Sequence, residues 1–338
     1  MGSKLKTTIY LWWVEIKKKG GPPKNAAIYF RTLGDLSISL PLPLPLAPSI
    51  SLSIRGLNLR KNMKRTLMLF PTERSRNWLD LPDELMTLIL ARLVTVDRIM
   101  IARKVCNTWR RICSDPALWR VVVLEYCISW NIINVAKKAV DLSCGQLIDI
   151  RINDIGTDSL LRYISDRYSL IIFTALLSRS RDISNQLRRL HLSSCDNITS
   201  EGLSEMFKEL PLLEELHLDY TAISPQAIEV AGRYCPLLKS FKLNNHGRLH
   251  AFNMNYAGPN EDALAIAKHL PGLRHLQLTG NNMTIVGLVA ITENCSHLES
   301  LDISDCLNVA DQLGSGLRKR LSQQIKDLRL PLHSSRDY

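Results

Sequence analysis

A six-residue pattern, L-x-x-L-x-L, recurs seven times after residue 140 and constrains the fold more than any other feature of the chain. The starts of successive copies are 40, 26, 25, 35, 25 and 27 residues apart. A unit of this length cannot bury an apolar face alone, so consecutive units must stack on one another. The apolar positions are Leu147/Ile150/Ile152, Leu187/Leu190/Leu192, Leu213/Leu216/Leu218, Leu238/Phe241/Leu243, Leu273/Leu276/Leu278, Leu298/Leu301/Ile303 and Ile325/Leu328/Leu330.

Each copy combines a strand period with a following helical segment, such as residues 202–206 or 287–291. Cysteines lie three residues before a copy or eight residues after its start, at Cys144, Cys195, Cys235, Cys295 and Cys306. This arrangement resembles the cysteine-containing leucine-rich repeats. The resemblance implies an α/β solenoid, a short horseshoe of about seven repeats, over residues 125–331.

Side chains between the leucines point to the opposite face of each strand, which should be the concave face of the solenoid. These positions are polar and of mixed charge, which suits protein recognition. We expect the following residues to contact a protein substrate of unknown identity: Arg151, Arg189, His191, Glu215, His217, Lys242, Gln277 and Asp302.

His191 and His217 occupy equivalent positions in consecutive copies and should be lateral neighbours. The sequence offers no evident third ligand beside them, so it predicts no metal site and no cofactor. The eight cysteines form no CxxC pair. Single cysteines at repeat positions are typical of small buried groups in a reducing compartment, which indicates the cytoplasm and/or the nucleus.

Residues 77–124 form a different segment, with apolar residues at helical spacing in two stripes. Asp80 and Thr95 are candidate N-caps, and Pro82 fits the first turn of the first helix. So few residues cannot bury both stripes completely, so some apolar surface should remain for a partner. The segment carries three short motifs in order: Leu81-Pro82, Val105-Cys106-x-x-Trp109 and Asp115-Pro116-x-x-Trp119.

These motifs, at this spacing, resemble the F-box, the adaptor-docking module of cullin-based ubiquitin ligases. The resemblance implies that a Skp-type adaptor contacts Leu81, Pro82, Leu85, Ile89, Val105 and Trp109. Trp119 is expected in the core instead. Through the adaptor, the chain would reach a cullin and a RING protein.

Charge and motif content exclude several function classes. The net charge is +11, but residues 1–76 hold 14 of the 43 basic and 3 of the 32 acidic side chains, which leaves 29 of each in residues 77–338. A neutral body argues against nucleic-acid binding. The sequence contains no run of 18 apolar residues, so it predicts no membrane helix. The absence of GxxxxGK[ST], GxGxxG, GxSxG and HExxH argues against an enzyme.

Two segments do not fit either module. Residues 1–76 are basic and rich in Pro and Ser, and we consider a disordered tail, a transit-like peptide, or a start of translation near Met63 or Met68. Residues 169–184 are apolar at first and lack repeat spacing, so they form an extra buried segment or are foreign sequence, which we favour. Residues 332–338 should be a short C-terminal tail.

An F-box followed by cysteine-type repeats is similar to the F-box/LRR proteins, in particular small plant members. The resemblance implies a non-catalytic substrate receptor of an SCF (Skp–cullin–F-box) ubiquitin ligase, in which the repeats hold a target near the conjugating enzyme. The alternative is an interaction scaffold that binds the adaptor without promoting degradation.

Overall fold

The computed structural model describes residues 81–125, 131–178, 187–221, 223–244 and 258–331, with the backbone alone for residues 169–178. The expectations for residues 1–76, the Asp80 cap, residues 179–184 and residues 332–338 lie outside the described residues. The chain divides into two compact units, residues 1–92 and residues 93–338. The division falls inside the segment that resembles an F-box.

The described part of the first unit is one helix, α1, over Asp83–Ala91. Pro82 precedes it in an extended conformation, where its missing N–H leaves no helical hydrogen bond unmade. Asp83 and Glu84 occupy the first turn, next to the positive end of the helix dipole. The helix thus begins two residues after the first helical position that an Asp80 cap predicts, and Pro82 precedes the first turn instead of lying in it.

The second unit begins with short helical segments. They are α2 (Thr95–Asp97), a π-helical turn (Arg98–Ala102), α3 (Arg103–Val105), α4 (Asn107–Ile112) and a 3-10 turn (Pro116–Trp119). The predicted capping role of Thr95 is wrong. Thr95 is fully buried at the first position of α2, and its Oγ1 accepts a hydrogen bond from the backbone N–H of Val123 at 3.0 Å.

Eight strands form one parallel sheet in sequence order. They are β1 (Val121–Leu124), β2 (Asp149–Asn153), β3 (Arg189–Ser193), β4 (Glu215–Asp219), β5 (Ser240–Asn244), β6 (His275–Gln277), β7 (Ser300–Asp302) and β8 (Asp327–Arg329). The pairing register places equivalent repeat positions side by side, for example Leu190 beside Leu216 and Leu216 beside Phe241. The α/β repeat fold is confirmed, with β1 as an additional first strand.

Helices connect the strands, and consecutive helices pack against one another from the first to the seventh of the eight that follow. They are α5 (Ile132–Leu142), α6 (Asp158–Ser178), α7 (Ser200–Lys208), α8 (Pro225–Tyr234), α9 (Glu261–His269), α10 (Ile285–Asn294), α11 (Leu307–Ala310) and α12 (Ser315–Gln324). At 21 residues, α6 is about twice the length of its neighbours because residues 169–178 extend it. That part of the unassigned segment is therefore helical.

The inward leucine positions form the core of the second unit. Leu190 and Leu216 are fully buried, and Phe241 is 1% exposed. Cys195, Cys235, Cys295 and Cys306 are buried thiols, as expected for cysteine-type repeats. Cys144 is the exception, because its exposed side chain lies in a turn where its backbone φ is 45°. Among the described helices, none combines the length and apolarity that a membrane crossing requires.

Candidate functional site

Helix α1 presents apolar side chains to solvent. Leu85 is 49% exposed and Leu88 is 64% exposed, while Pro82 is exposed at the start of the same face. Ile89 is half-buried, as is Leu81 just before the helix. Burial of apolar area is worth roughly 25 cal/mol per Å², so two exposed leucines one helical turn apart favour a covering partner.

The two predicted adaptor contacts in the second unit differ from each other. Val105 is half-buried at the end of α3. Trp109 is only 4% exposed, and Cys106 caps its helix by accepting a hydrogen bond from the Trp109 backbone N–H at 3.5 Å. This burial leaves little of the indole surface for an adaptor, and the adaptor contact of Trp109 stays a prediction. Trp119 is fully buried, as predicted.

The polar positions of the strands form what we call the open face of the sheet. The ladder aligns six of the predicted contact residues across six consecutive strands. This central row is Arg151, His191, His217, Lys242, Gln277 and Asp302. Arg189 and Glu215 are paired beside it in the adjacent row. The structure thus brings the eight predicted residues onto one surface.

A buried carboxylate organises the first end of the open face. Asp149 is 2% exposed, although its strand position predicted an outward side chain. Arg151 and Arg189 cover it, each with a guanidinium nitrogen 3.1 Å from Asp149 Oδ2. A charge removed from water requires such partners. The hydrogen bond from Arg151 to Asp149 also raises the pKa of that guanidinium.

At the centre, Glu215 approaches both histidines. Glu215 Oε1 lies 2.9 Å from His217 Nε2 and 3.2 Å from His191 Nε2. The two imidazole centroids are 4.2 Å apart. The expectation that the histidines lack a third ligand is therefore wrong, because the Glu215 side chain turns from the adjacent row toward them.

Both imidazoles are biased toward the neutral form. The pKa of His217 is lowered to about 4, chiefly by desolvation on burial and next by the neighbouring His191, while Glu215 opposes the shift. Desolvation also lowers the pKa of His191; Asp149 raises it, and the two arginines that cover Asp149 lower it. Neutral imidazoles are the form that accepts hydrogen bonds and binds metals.

The other end of the open face is less tightly paired. Lys242 Nζ lies 3.0 Å from Asp219 Oδ1 on the neighbouring strand. Asp302 accepts hydrogen bonds from the Ser304 backbone N–H and hydroxyl, and its Oδ2 lies 3.7 Å from Arg329. The predicted set omits Asp149, Asp219 and Arg329. The alternation of side chains along each strand predicts that these three residues lie on the open face. Their ion pairs depend on side-chain conformations, which the sequence does not show.

Two families match the chain in the segments that carry these surfaces. The F-box-like family matches residues 78–125, and the Leucine Rich repeat family matches residues 184–207 and 269–291. The first match includes α1 and Trp109. The two repeat matches include β3 with α7 and β6 with α10.

Curated relatives from Arabidopsis thaliana cover both segments. An F-box protein is 40% identical over 271 residues, which are 78% of this chain and 82% of the relative. A protein provisionally named F-box/LRR-repeat protein 21 is 39% identical over 78% of this chain and 84% of its own length. F-box protein SKIP19 is 39% identical over 78% and 80%.

Among solved structures, a chain from the Rad7 and Elc1 complex in yeast has a TM-score of 0.38 at 19% identity, over 62% of this chain and 43% of its own. That similarity is too low to support a functional argument. The relatives from Arabidopsis are similar enough, and over enough of their length, to decide membership. The chain belongs to the plant F-box/LRR-repeat proteins.

Proposed function

We propose that this protein is a substrate-recognition adaptor of an SCF-type ubiquitin ligase. Its α1 face would dock a Skp-type adaptor, which connects it to a cullin and a RING protein. The open face of the repeat sheet would bind the protein to be ubiquitinated. The observation that carries the proposal is the exposure of Leu85 and Leu88, at 49% and 64%, in a segment that matches the F-box-like family.

The proposed role is non-catalytic. Holding a target lysine near the charged conjugating enzyme raises their effective concentration and needs no reactive group on this chain. The mixed charges of the central row, from Arg151 to Asp302, suit a polar protein surface, because complementary charges select partners and fix their register. We place this activity in the cytoplasm and/or the nucleus, and expect neither nucleic acid nor membrane as a partner.

The adaptor contact can be tested by binding of purified Skp-type adaptor to the full chain. Replacing both exposed leucines, Leu85→Ala with Leu88→Ala, should weaken binding by about 2 kcal/mol or more, roughly 30-fold in Kd. Leu264→Ala is the matched control, because Leu264 is also on a helix and 44% exposed. Its Kd should stay unchanged. Equal binding by the folded double variant and the control would refute the docking role.

The receptor role requires a second experiment. Affinity purification under proteasome inhibition, followed by mass spectrometry, should recover the adaptor, the cullin and at least one target that accumulates under inhibition. Lys242→Ala with Gln277→Ala in the central row should lose the target and keep the adaptor. If partners of the open face are recovered but none accumulates, the protein is an interaction scaffold instead.

A further inference from the structure

Three side chains on two adjacent strands of the open face meet at one point. His191 comes from β3, and Glu215 and His217 come from β4. One ligand atom from each lies within 4.8 Å of the other two. Parallel pairing fixes this arrangement, since His191 is directly opposite His217 and Glu215 precedes His217 by two residues on the same strand.

The spacing of these atoms fits a small metal ion. Zinc binds imidazole nitrogen and carboxylate oxygen at about 2.0–2.2 Å, so tetrahedral ligands lie about 3.4 Å from one another. Glu215 Oε1 is already 3.2 Å from His191 Nε2 and 2.9 Å from His217 Nε2. Glu215 therefore needs shifts of only a few tenths of an ångström, while the two imidazole nitrogens, which lie within 4.8 Å of each other, must close by at most about 1.4 Å.

One of these atoms is also poorly satisfied in the chain as described. His191 Nε2 is buried, and no described residue makes a hydrogen bond with it, since its 3.2 Å contact with Glu215 lacks hydrogen-bond geometry. A buried polar nitrogen without a partner costs free energy. Coordination of an ion would supply the missing interaction.

The neighbouring cationic side chains form ion pairs with carboxylates other than that of Glu215. Arg151 and Arg189 are held by Asp149, and Lys242 is held by Asp219. Among the described residues, the ion-pair contacts of Glu215 go to the two histidines. The site is therefore surrounded by three basic side chains and three carboxylates, Glu215 included. Their formal charges sum to zero, so the surroundings do not repel a cation strongly.

We propose that His191, Glu215 and His217 form a binding site for a divalent transition-metal ion of the zinc class. Two imidazoles and one carboxylate suit zinc and exclude calcium and magnesium, which require oxygen ligands. With three protein ligands, a fourth position remains open toward solvent on the open face.

The test is calorimetric titration of Zn²⁺ into the full chain, purified without a histidine tag and treated with a chelator. We expect one Zn²⁺ bound at this site, and a loss of its affinity of at least about 10- to 100-fold in His217→Gln, because losing a ligand costs no less than losing its supporting contacts. His275→Gln is the matched control, since His275 is exposed on β6 of the same face. Mg²⁺ should give no binding.

Glu215→Gln provides a second variant of nearly unchanged shape, should His217→Gln fail to fold. A readout that needs no variant is Co²⁺, which should broaden the ring NMR signals of His191 and His217 and leave that of His275 sharp. The proposal is overturned if the wild-type chain binds no Zn²⁺, if the variants bind it as tightly as the control, or if Co²⁺ spares both rings. None of these results depends on the adaptor or on a ubiquitination target.

Discussion

Asp262 lies in the first turn of α9, where it is half-buried. Burial, with a smaller contribution from Glu261, raises the pKa of its carboxyl from 3.8 to about 6. The native state therefore binds more protons than the unfolded state between about pH 4 and 6, and Asp262 lowers stability as pH rises through that window.

Asp262→Asn should remove this penalty. The shift corresponds to at most about 3 kcal/mol, and the favourable helix dipole at this position offsets part of it. We expect a gain of about 1–2 kcal/mol in the free energy of unfolding at pH 7 and no gain at pH 4 or below. Urea unfolding at both pH values measures it, and an equal gain at both would contradict the assignment.

Trp109 and Leu85 differ in burial although both belong to the predicted docking set. Trp109→Ala should lower the free energy of unfolding by about 3–5 kcal/mol, because it leaves a cavity in the core. Leu85→Ala should change it by less than about 0.5 kcal/mol, because that side chain is 49% exposed. Thermal unfolding followed by circular dichroism compares the two. Similar melting temperatures for both variants would contradict the burial of Trp109.

These residues show what periodicity can predict. Helical spacing indicates which apolar side chains share a face, but not which face the rest of the chain covers. The sequence therefore assigned Leu85 and Trp109 to one docking set, whereas Leu85 is 49% exposed and Trp109 is 4% exposed. Likewise, strand alternation placed His191, Glu215 and His217 on one surface. The side chain of Glu215 can turn toward the histidines because the neighbouring arginines pair with Asp149 instead, and the sequence does not show that pairing.

At the scale of elements, hydrogen bonds from a side chain at the start of one helix to a threonine at the start of the next helix connect consecutive repeats. The Asp158 carboxylate accepts hydrogen bonds from the Thr199 N–H at 2.8 Å and from the Thr199 hydroxyl at 2.9 Å. Asn260 Oδ1 does the same for Thr284 in a later repeat, at 2.9 and 3.1 Å. Each threonine begins a T-x-x-G segment, and the glycine leaves room for the carboxylate or the amide.

Gly202→Ala tests this connection. A Cβ at Gly202 would lie 2.1 Å from Asp158 Oδ1, so the carboxylate must move and lose its hydrogen bonds, at about 1–2 kcal/mol. Gly316→Ala is the control, since nothing lies within 4 Å and alanine favours a helix by about 1 kcal/mol. Urea unfolding should show loss of stability in the first and gain in the second.

A double variant sharpens the test. In an Asp158→Ala background, Gly202→Ala should no longer destabilise, because the carboxylate it displaces is absent. A coupling energy near zero between the two positions would rule out the connection.

Element prediction was best where the repeat pattern was strict. The pairing of β2 to β8 follows from period two, because a slip by one residue would expose every leucine. Strand β1 was missed because its four residues lack the L-x-x-L-x-L spacing and begin only two residues after Trp119. The full length of α6 was missed because residues 169–178 carry no helical stripe.

At the scale of the whole molecule, the segment after Leu93 belongs to the same compact unit as the repeats. Strand β1 pairs with β2, where Leu124 is opposite Ile152, and Thr95 holds the backbone of Val123. The sheet therefore starts within residues that match the F-box-like family. This first strand should protect the edge of β2.

Leu124→Ala tests the protection, because Leu124 is fully buried and its truncation should cost about 2–5 kcal/mol. Amide hydrogen exchange should accelerate most in β2 and progressively less toward β8, as nearest-neighbour coupling in stacked repeats requires. Leu307→Ala, at a position that is 62% exposed, should leave the exchange rates of β2 unchanged. Unaltered β2 amides in Leu124→Ala would argue against β1 as part of the sheet.

The central row takes one side chain from each of six strands that are about 4.8 Å apart, so it samples a partner along about 24 Å. Each side chain of the row is encoded in a separate repeat, while the hydrogen bonds that hold the strands together are formed by main-chain atoms common to all residues. Specificity can thus change by single substitutions in duplicated copies of such a gene, without any refolding of the scaffold.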